Sequence, residues 1–128
     1  MRILIDTHIL IWHGLSMLPS SAQSYIQDEA NTLLFSPASI WEVVIKRGLN
    51  RPDFDVDPYA LANGLLADGF CELPITTNHA LGISSLPTIH KDPFDRILLA
   101  QAISEGIILL TFDDSLAKYG PPVVFIAK

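Results

Sequence analysis

Four acidic side chains interrupt or border apolar runs in this chain: Asp6, Glu42, Asp95 and Asp113. Asp6 stands between Ile3-Leu4-Ile5 and, after Thr7-His8, Ile9-Leu10-Ile11. Glu42 lies within Ile40-Trp41-Glu42-Val43-Val44-Ile45. On a helical wheel it borders the apolar arc, with Trp41, Ile45 and Leu49 on one side and Lys46 on the other. Asp95 shares a helix face with Leu98, Leu99 and Ala102, and Asp113 follows the all-apolar run Ile107 to Leu110. Each acid alone has a bland explanation. Asp113 or Asp114 suits the cap of a short helix from Ser115, and a Glu42–Lys46 pair at i,i+4 is worth about 0.2–0.5 kcal/mol. Together they point to chemistry. Burying an unpaired carboxylate costs several kcal/mol, and like charges in one cleft raise one another's pKa. Oxygen donors with no cysteine and no convincing histidine pair select Mg²⁺ or Mn²⁺ over zinc. The commonest work of such sites is phosphoryl transfer or phosphodiester hydrolysis.

The elements that must position these acids are legible around the stretch Asp92 to Asp114. Asp92 suits a helix cap, Pro93 fits the first turn, and Gly106 supplies a stop. Ile107 to Leu110 then reads as a strand buried on both faces. Upstream, strands are expected at Arg2 to Ile5, Thr32 to Phe35 and Cys71 to Pro74, with a last one at Val123 to Ile126. Helices are expected from Ile9, over Ala22 to Ala30, from Ser36 to about Gly48, over Pro58 to Asp68, from Thr77 to Leu86, and over Ser115 to Tyr119. Asn50 to Asp57 is a polar link. Alternating strands and helices, with the best strands lacking polar alternation, predict a parallel sheet of four to five strands covered on both faces. Asp6 and Asp113 then leave the carboxyl edge of that sheet, where open α/β folds place their sites. The helix starts at Ala38 and Asp95 lie at the same edge, so the four acids converge.

Composition narrows the classes. At 128 residues the chain is expected to form one domain with a real core, and 49% hydrophobic residues argue against disorder. A net charge of −6 speaks against nucleic-acid binding through overall charge. It leaves room for a local basic rim, for which Lys46, Arg47, Arg51 and Arg96 are the candidates. The single Cys71 excludes an internal disulfide and a cysteine zinc site, and is assigned to the core. No run reaches the ~18 apolar residues of a membrane helix, and Asp6 interrupts the apolar start too early for a signal peptide. The expectation is a soluble, cytoplasmic protein. His8, His13, His79 and His90 read as structural or peripheral, and Trp12 and Trp41 as core. Leu15, Met17 and Leu18 are candidates for an exposed apolar patch.

The chain resembles PIN-domain ribonucleases, in particular toxins of the VapC type. The likeness covers essentially the whole chain. It rests on Leu4-Ile5-Asp6-Thr7-His8, on Ser36-Pro37-Ala38-Ser39-Ile40-Trp41-Glu42-Val43-Val44-Ile45-Lys46, on Asp92-Pro93-Phe94-Asp95-Arg96-Ile97-Leu98-Leu99-Ala100-Gln101-Ala102, on Leu110-Thr111-Phe112-Asp113, and on Tyr119-Gly120. It implies a three-layer PIN-like α/β fold with a five-stranded parallel sheet, and an endoribonuclease dependent on Mg²⁺ or Mn²⁺. By motif match the catalytic and metal-binding quartet falls on Asp6, Glu42, Asp95 and Asp113, with Asp92 a cap and Thr7 and Thr111 orienting hydroxyls. One departure is Phe112, where many relatives carry a basic residue. The resemblance further implies RNA as substrate, a cognate antitoxin as partner, and a homodimer. Two other readings stand beside it. One is a PIN-like domain that binds metal or RNA without cutting. The other is an aspartate-nucleophile phosphatase, whose chemistry wants an Asp two residues after Asp6, where this chain has His8.

Overall fold

Neighbouring side chains on the central strands point into different cores, which fixes the layers. The computed structural model describes residues 1–128. In chain order it runs β1 (Arg2–Ile5), α1 (Thr7–Gly14), α2 (Ser20–Gln27), β2 (Thr32–Phe35), α3 (Pro37–Gly48), α4 (Pro58–Ala67), β3 (Cys71–Glu72), α5 (Thr77–Gly82), a 3₁₀ turn (Ile83–Ser85), α6 (Pro93–Glu105), β4 (Ile108–Thr111), α7 (Asp114–Ala117) and β5 (Val123–Phe125). The five strands are all parallel, in the order β3-β2-β1-β4-β5. Ile3, Ile5, Leu33, Phe35 and Leu110 face one way, against Ile9 and Leu10 of α1, Ala22 of α2 and Leu61 and Leu65 of α4. Leu4, Leu34 and Leu109 face the other way, against Leu98, Leu99 and Ala102 of α6 and Leu116 of α7. Period-two alternation thus feeds two cores, and the fold is the expected three-layer α/β arrangement with five parallel strands.

The strand order reverses direction between β1 and β4. Connections from β1 run outward to β2 and β3, while β4 and β5 build the opposite half. A crevice opens at the carboxyl ends of two strands whose connections leave in opposite directions. Asp6 follows β1 directly, Asp113 follows β4, and the two strands pair in register from Ile3↔Ile108 to Ile5↔Leu110. Gly106 caps α6 in the left-handed region at φ 66°, turning the chain into β4 as the sequence predicted.

Several expectations are corrected. Cys71 is exposed, because β3 is a two-residue strand at the sheet edge. Leu18 is buried, while Leu15 and Met17 are exposed as expected. Trp41, Ile45 and Leu49 are exposed, and the buried face of α3 is Ala38, Ser39, Glu42 and Val43. Glu42 therefore sits inside the buried stripe, with the apolar residues beside it in water. No helix is long and apolar enough to cross a membrane.

Candidate active site

Asp6 and Asp113 sit where a strand turns into a helix, Asp95 lies in the first turn of α6, and Glu42 lies midway along α3. Asp6 is the N-cap of α1, and its Oδ1 accepts from the Thr7 backbone N–H at 2.7 Å. Its Oδ2 accepts from the Thr111 hydroxyl at 2.6 Å, a bond across the β1–β4 seam between residues 105 apart. The Thr7 hydroxyl donates instead to Ser39 Oγ at 2.9 Å, tying α1 to the first turn of α3. Asp113 caps α7 through Ser115 N–H, and its own N–H donates to Thr111 Oγ1 at 2.9 Å. Thr111 is thus bonded to both strand-end acids, and is fully buried to do it. Asp95 is held in the first turn of α6 by Asp92, which caps that helix as the sequence predicted.

The electrostatics are those of crowded negative charge. Burial pushes the Asp6 carboxyl above its usual range, and the nearby charge of Glu42 adds to that. The Thr111 bond and the exposed His8 act in the opposite sense without cancelling it. Asp95 is raised to about 7, first by burial and then by the charge of Asp6, with smaller contributions from Asp92 and Glu42. Asp6, Glu42 and Asp95 therefore lie within one another's field, as the sequence implied. Glu42 is 3% exposed. Its Oε2 meets Lys46 Nζ at 2.8 Å, so the bland i,i+4 pair exists. It satisfies only half the carboxylate, because Oε1 is buried with no partner. A buried carboxylate oxygen without a donor calls for a cation.

The sequence reading missed His90. Its Nε2 lies 2.6 Å from Asp95 Oδ2 and 3.6 Å from Asp113 Oδ2, joining the two acids. Burial disfavours the imidazolium, but the Asp95 hydrogen bond and the charges of Asp95, Asp113 and Asp92 outweigh it and raise its pKa. One signal was available. His90 stands two residues before the Asp92 cap, and a cap folds the preceding chain back over the first turn. His79 is structural as expected, buried in a capping box with Thr76 and paired with Glu105.

The basic rim needs revision. Arg96 is no phosphate ligand: its guanidinium donates to the carbonyls of Ile83, Pro87 and His90 and to the Tyr119 hydroxyl. Arg47 turns to Asp55 and Asp57 in the link before α4. Arg51 and the unforeseen Lys91 line a groove of about 460 Å³ that starts at Glu42 and Lys46 and runs past Phe94. Phe112, the departure noted above, is buried and packs on Trp12 at 5.4 Å between ring centroids.

These features define the protein's class: an open, all-parallel α/β sheet with an acidic cleft at its switch point. The PIN domain family model matches residues 3–120, and the chain belongs to that family. Among solved structures, the sarcin–ricin-loop-cleaving toxin VapC20 of Mycobacterium tuberculosis is similar at 17% identity, with TM-score 0.71 over 98% of this chain and 99% of the other. VapBC2 of Rickettsia felis, bound to a DNA fragment from its promoter, is 15% identical with TM-score 0.70, covering 99% and 98%. A chain from a Klebsiella pneumoniae toxin–antitoxin complex is 22% identical with TM-score 0.67, covering 95% of each. At these identities the likeness is one of fold. No curated protein sequence matches the chain.

Proposed function

We propose that residues 1–128 form one PIN-like domain acting as a divalent-metal-dependent endoribonuclease, the toxin of a toxin–antitoxin pair. One observation carries this reading: Asp6, Glu42 and Asp95 lie within one another's field, His90 joins Asp95 to Asp113, and the protein leaves the acids under-neutralised. Asp6 and Asp95 are raised and Glu42 Oε1 is orphaned. The donor set of Asp6, Glu42, Asp95 and Asp113 suits Mg²⁺ or Mn²⁺. Such an ion supplies Lewis acidity, acidifying a water for attack on phosphorus and offsetting charge on the leaving oxygen. The chain's own residues prepare that step. Thr111 and the Thr7 amide fix the Asp6 oxygens, and Lys46 holds one oxygen of Glu42. Arg51 and Lys91 line the groove leading away from the acids, where an RNA strand's phosphates would lie. The named structural relatives include a sarcin–ricin-loop-cleaving toxin and toxin–antitoxin complexes, which support the same reading.

A cognate antitoxin has a surface to match. Ile11, Leu15, Val56 and Leu61 line a cleft of about 370 Å³ between α1 and α4, edged by Asp55, Asp57 and Asp68. Its apolar floor suits an apolar segment of a partner, while Asp55 and Asp57 are met by Arg47 and Asp68 by His13. Exposed Trp41, Val44 and Ile45 on α3 give a homodimer an apolar face to cover.

The direct test is RNA cleavage by the purified wild-type protein. Chelation is expected to abolish it, and Mg²⁺ or Mn²⁺ to restore it. Cleavage that persists in chelator, or that neither ion restores, sinks the reading. For the groove, the double change Arg51→Glu and Lys91→Glu is expected to weaken RNA binding about tenfold or more. The salt dependence of binding should become shallower by roughly one to two phosphate contacts. Unchanged affinity at low salt would put the RNA elsewhere.

A further inference from the structure

We propose that His90 is a nitrogen ligand of the ion held in the acidic cleft, making the donor set mixed and favouring Mn²⁺ over Mg²⁺. This rests on the metal-dependent reading above. The donor atoms of His90, Asp95 and Asp113 all lie within 4.8 Å of one another. The imidazole Nε2 is 2.6 Å from Asp95 Oδ2 and 3.6 Å from Asp113 Oδ2. Around an ion with ligands at about 2.1 Å, adjacent donors sit roughly 3 Å apart and opposite ones roughly 4.2 Å. The three side chains are thus gathered near that scale, and small side-chain rotations that break the His90–Asp95 hydrogen bond would turn their donor atoms toward a shared ion. Within the field of Asp95, Glu42 keeps one buried oxygen, Oε1, without a hydrogen-bond partner.

The loop carrying His90 is also built to aim it. The His90 amide donates to the Tyr119 hydroxyl at 3.0 Å, and its carbonyl accepts from Arg96 Nη1 at 3.2 Å. The Tyr119 hydroxyl in turn donates to Pro87 O at 2.9 Å, and Arg96 to Ile83 O at 3.3 Å. Arg96 and Tyr119 are thus positioning residues that hold the main chain on both sides of the imidazole, the support expected around a ligand. A surface histidine serving only as counter-ion to Asp95 needs no such clasp. On binding, Nε2 gives its proton to solvent and its lone pair to the ion, and the hydrogen bond to Asp95 is lost. Imidazole is a poor match for Mg²⁺, which demands near-ideal oxygen coordination, and a better one for transition ions.

Pulsed electron paramagnetic resonance on the Mn²⁺-loaded wild-type protein reads the bond directly, without turnover. The expected result is ¹⁴N modulation from one coordinated imidazole. It should vanish in His90→Gln and persist in His8→Gln, the other histidine near Asp6. His90→Gln should also weaken Mn²⁺ binding by about tenfold or more, with a smaller change for Mg²⁺. Mn²⁺ bound without nitrogen coupling, or with coupling that survives His90→Gln, overturns this proposal and leaves the carboxylate site standing. Failure to bind Mn²⁺ at all overturns the metal-dependent reading as well. A wild-type spectrum without nitrogen coupling overturns the proposal even if the variants are poorly behaved, and loss of the coupling in His90→Ala or His90→Asn substitutes for His90→Gln if that variant does not fold.

Discussion

Replacing Asp6 by Asn is expected to cut RNA cleavage at least about a hundred- to a thousandfold, the scale of losing one preorganised charged group, while making the metal-free protein more stable. The amide keeps the shape of the carboxylate. Its oxygen still accepts from Thr7 N–H, and its nitrogen replaces the atom that faces Thr111 Oγ1. The threonine hydroxyl rotates to accept where it formerly donated. What disappears is a negative charge at a site 1% exposed, held above its usual pKa by burial and by its neighbours. Removing such strain at a functional site stabilises, here on the order of 1 kcal/mol. Initial cleavage rates and thermal unfolding in chelator measure both arms. An Asp6→Asn protein that cuts RNA at the wild-type rate removes Asp6 from the chemistry. A variant that is less stable shows that the carboxylate served the fold.

Without metal, the protein is expected to lose stability as pH rises from 5 to 8, the reverse of a protein held together by salt-bridged carboxylates. Asp95 moves from 3.8 to about 7 on folding. A group whose folded pKa is raised contributes stability fully below its unfolded value and loses that contribution as pH climbs through the folded one. The His90 shift has the same sign, and so does that of Asp6. For Asp95 alone the difference corresponds to on the order of 4 kcal/mol, spread over a cluster that titrates as a unit. Urea midpoints across that range should therefore fall with pH in chelator. Saturating Mn²⁺ or Mg²⁺ should flatten the profile by binding the ionised cluster, and Asp95→Asn should flatten it with no metal present. Midpoints that rise with pH in chelator would falsify the picture of under-neutralised acids.

The sequence exposed the acids and hid the groups that face them. Asp6, Asp95 and Asp113 stood out because each breaks a pattern that a buried strand or helix face would otherwise complete. Their convergence then followed from one topological rule. Glu42 was found for the same reason, although the arc beside it was misjudged. Helical periodicity says which residues share a face, and cannot say whether that face meets the sheet or water. Hence Trp41 is outside and Glu42 within. Cys71 was misplaced because nothing local distinguishes a two-residue edge strand from an interior one. His90 and Arg96 were misread for a related reason. Their roles depend on how the segment from Ile83 to Lys91 folds against Tyr119, and a loop without periodicity leaves no trace of its partners in the chain.

The pairing of β1 with β4 has a consequence for the protein's birth. The hydroxyl that fixes Asp6 arrives 105 residues later, and the strand that carries it must slot into the middle of the sheet, not onto its rim. A nascent chain still threading the ribosome can therefore build β1, β2 and their helices without assembling the cleft. The acids on either side of that seam are therefore brought together only after β4 has emerged and paired with β1.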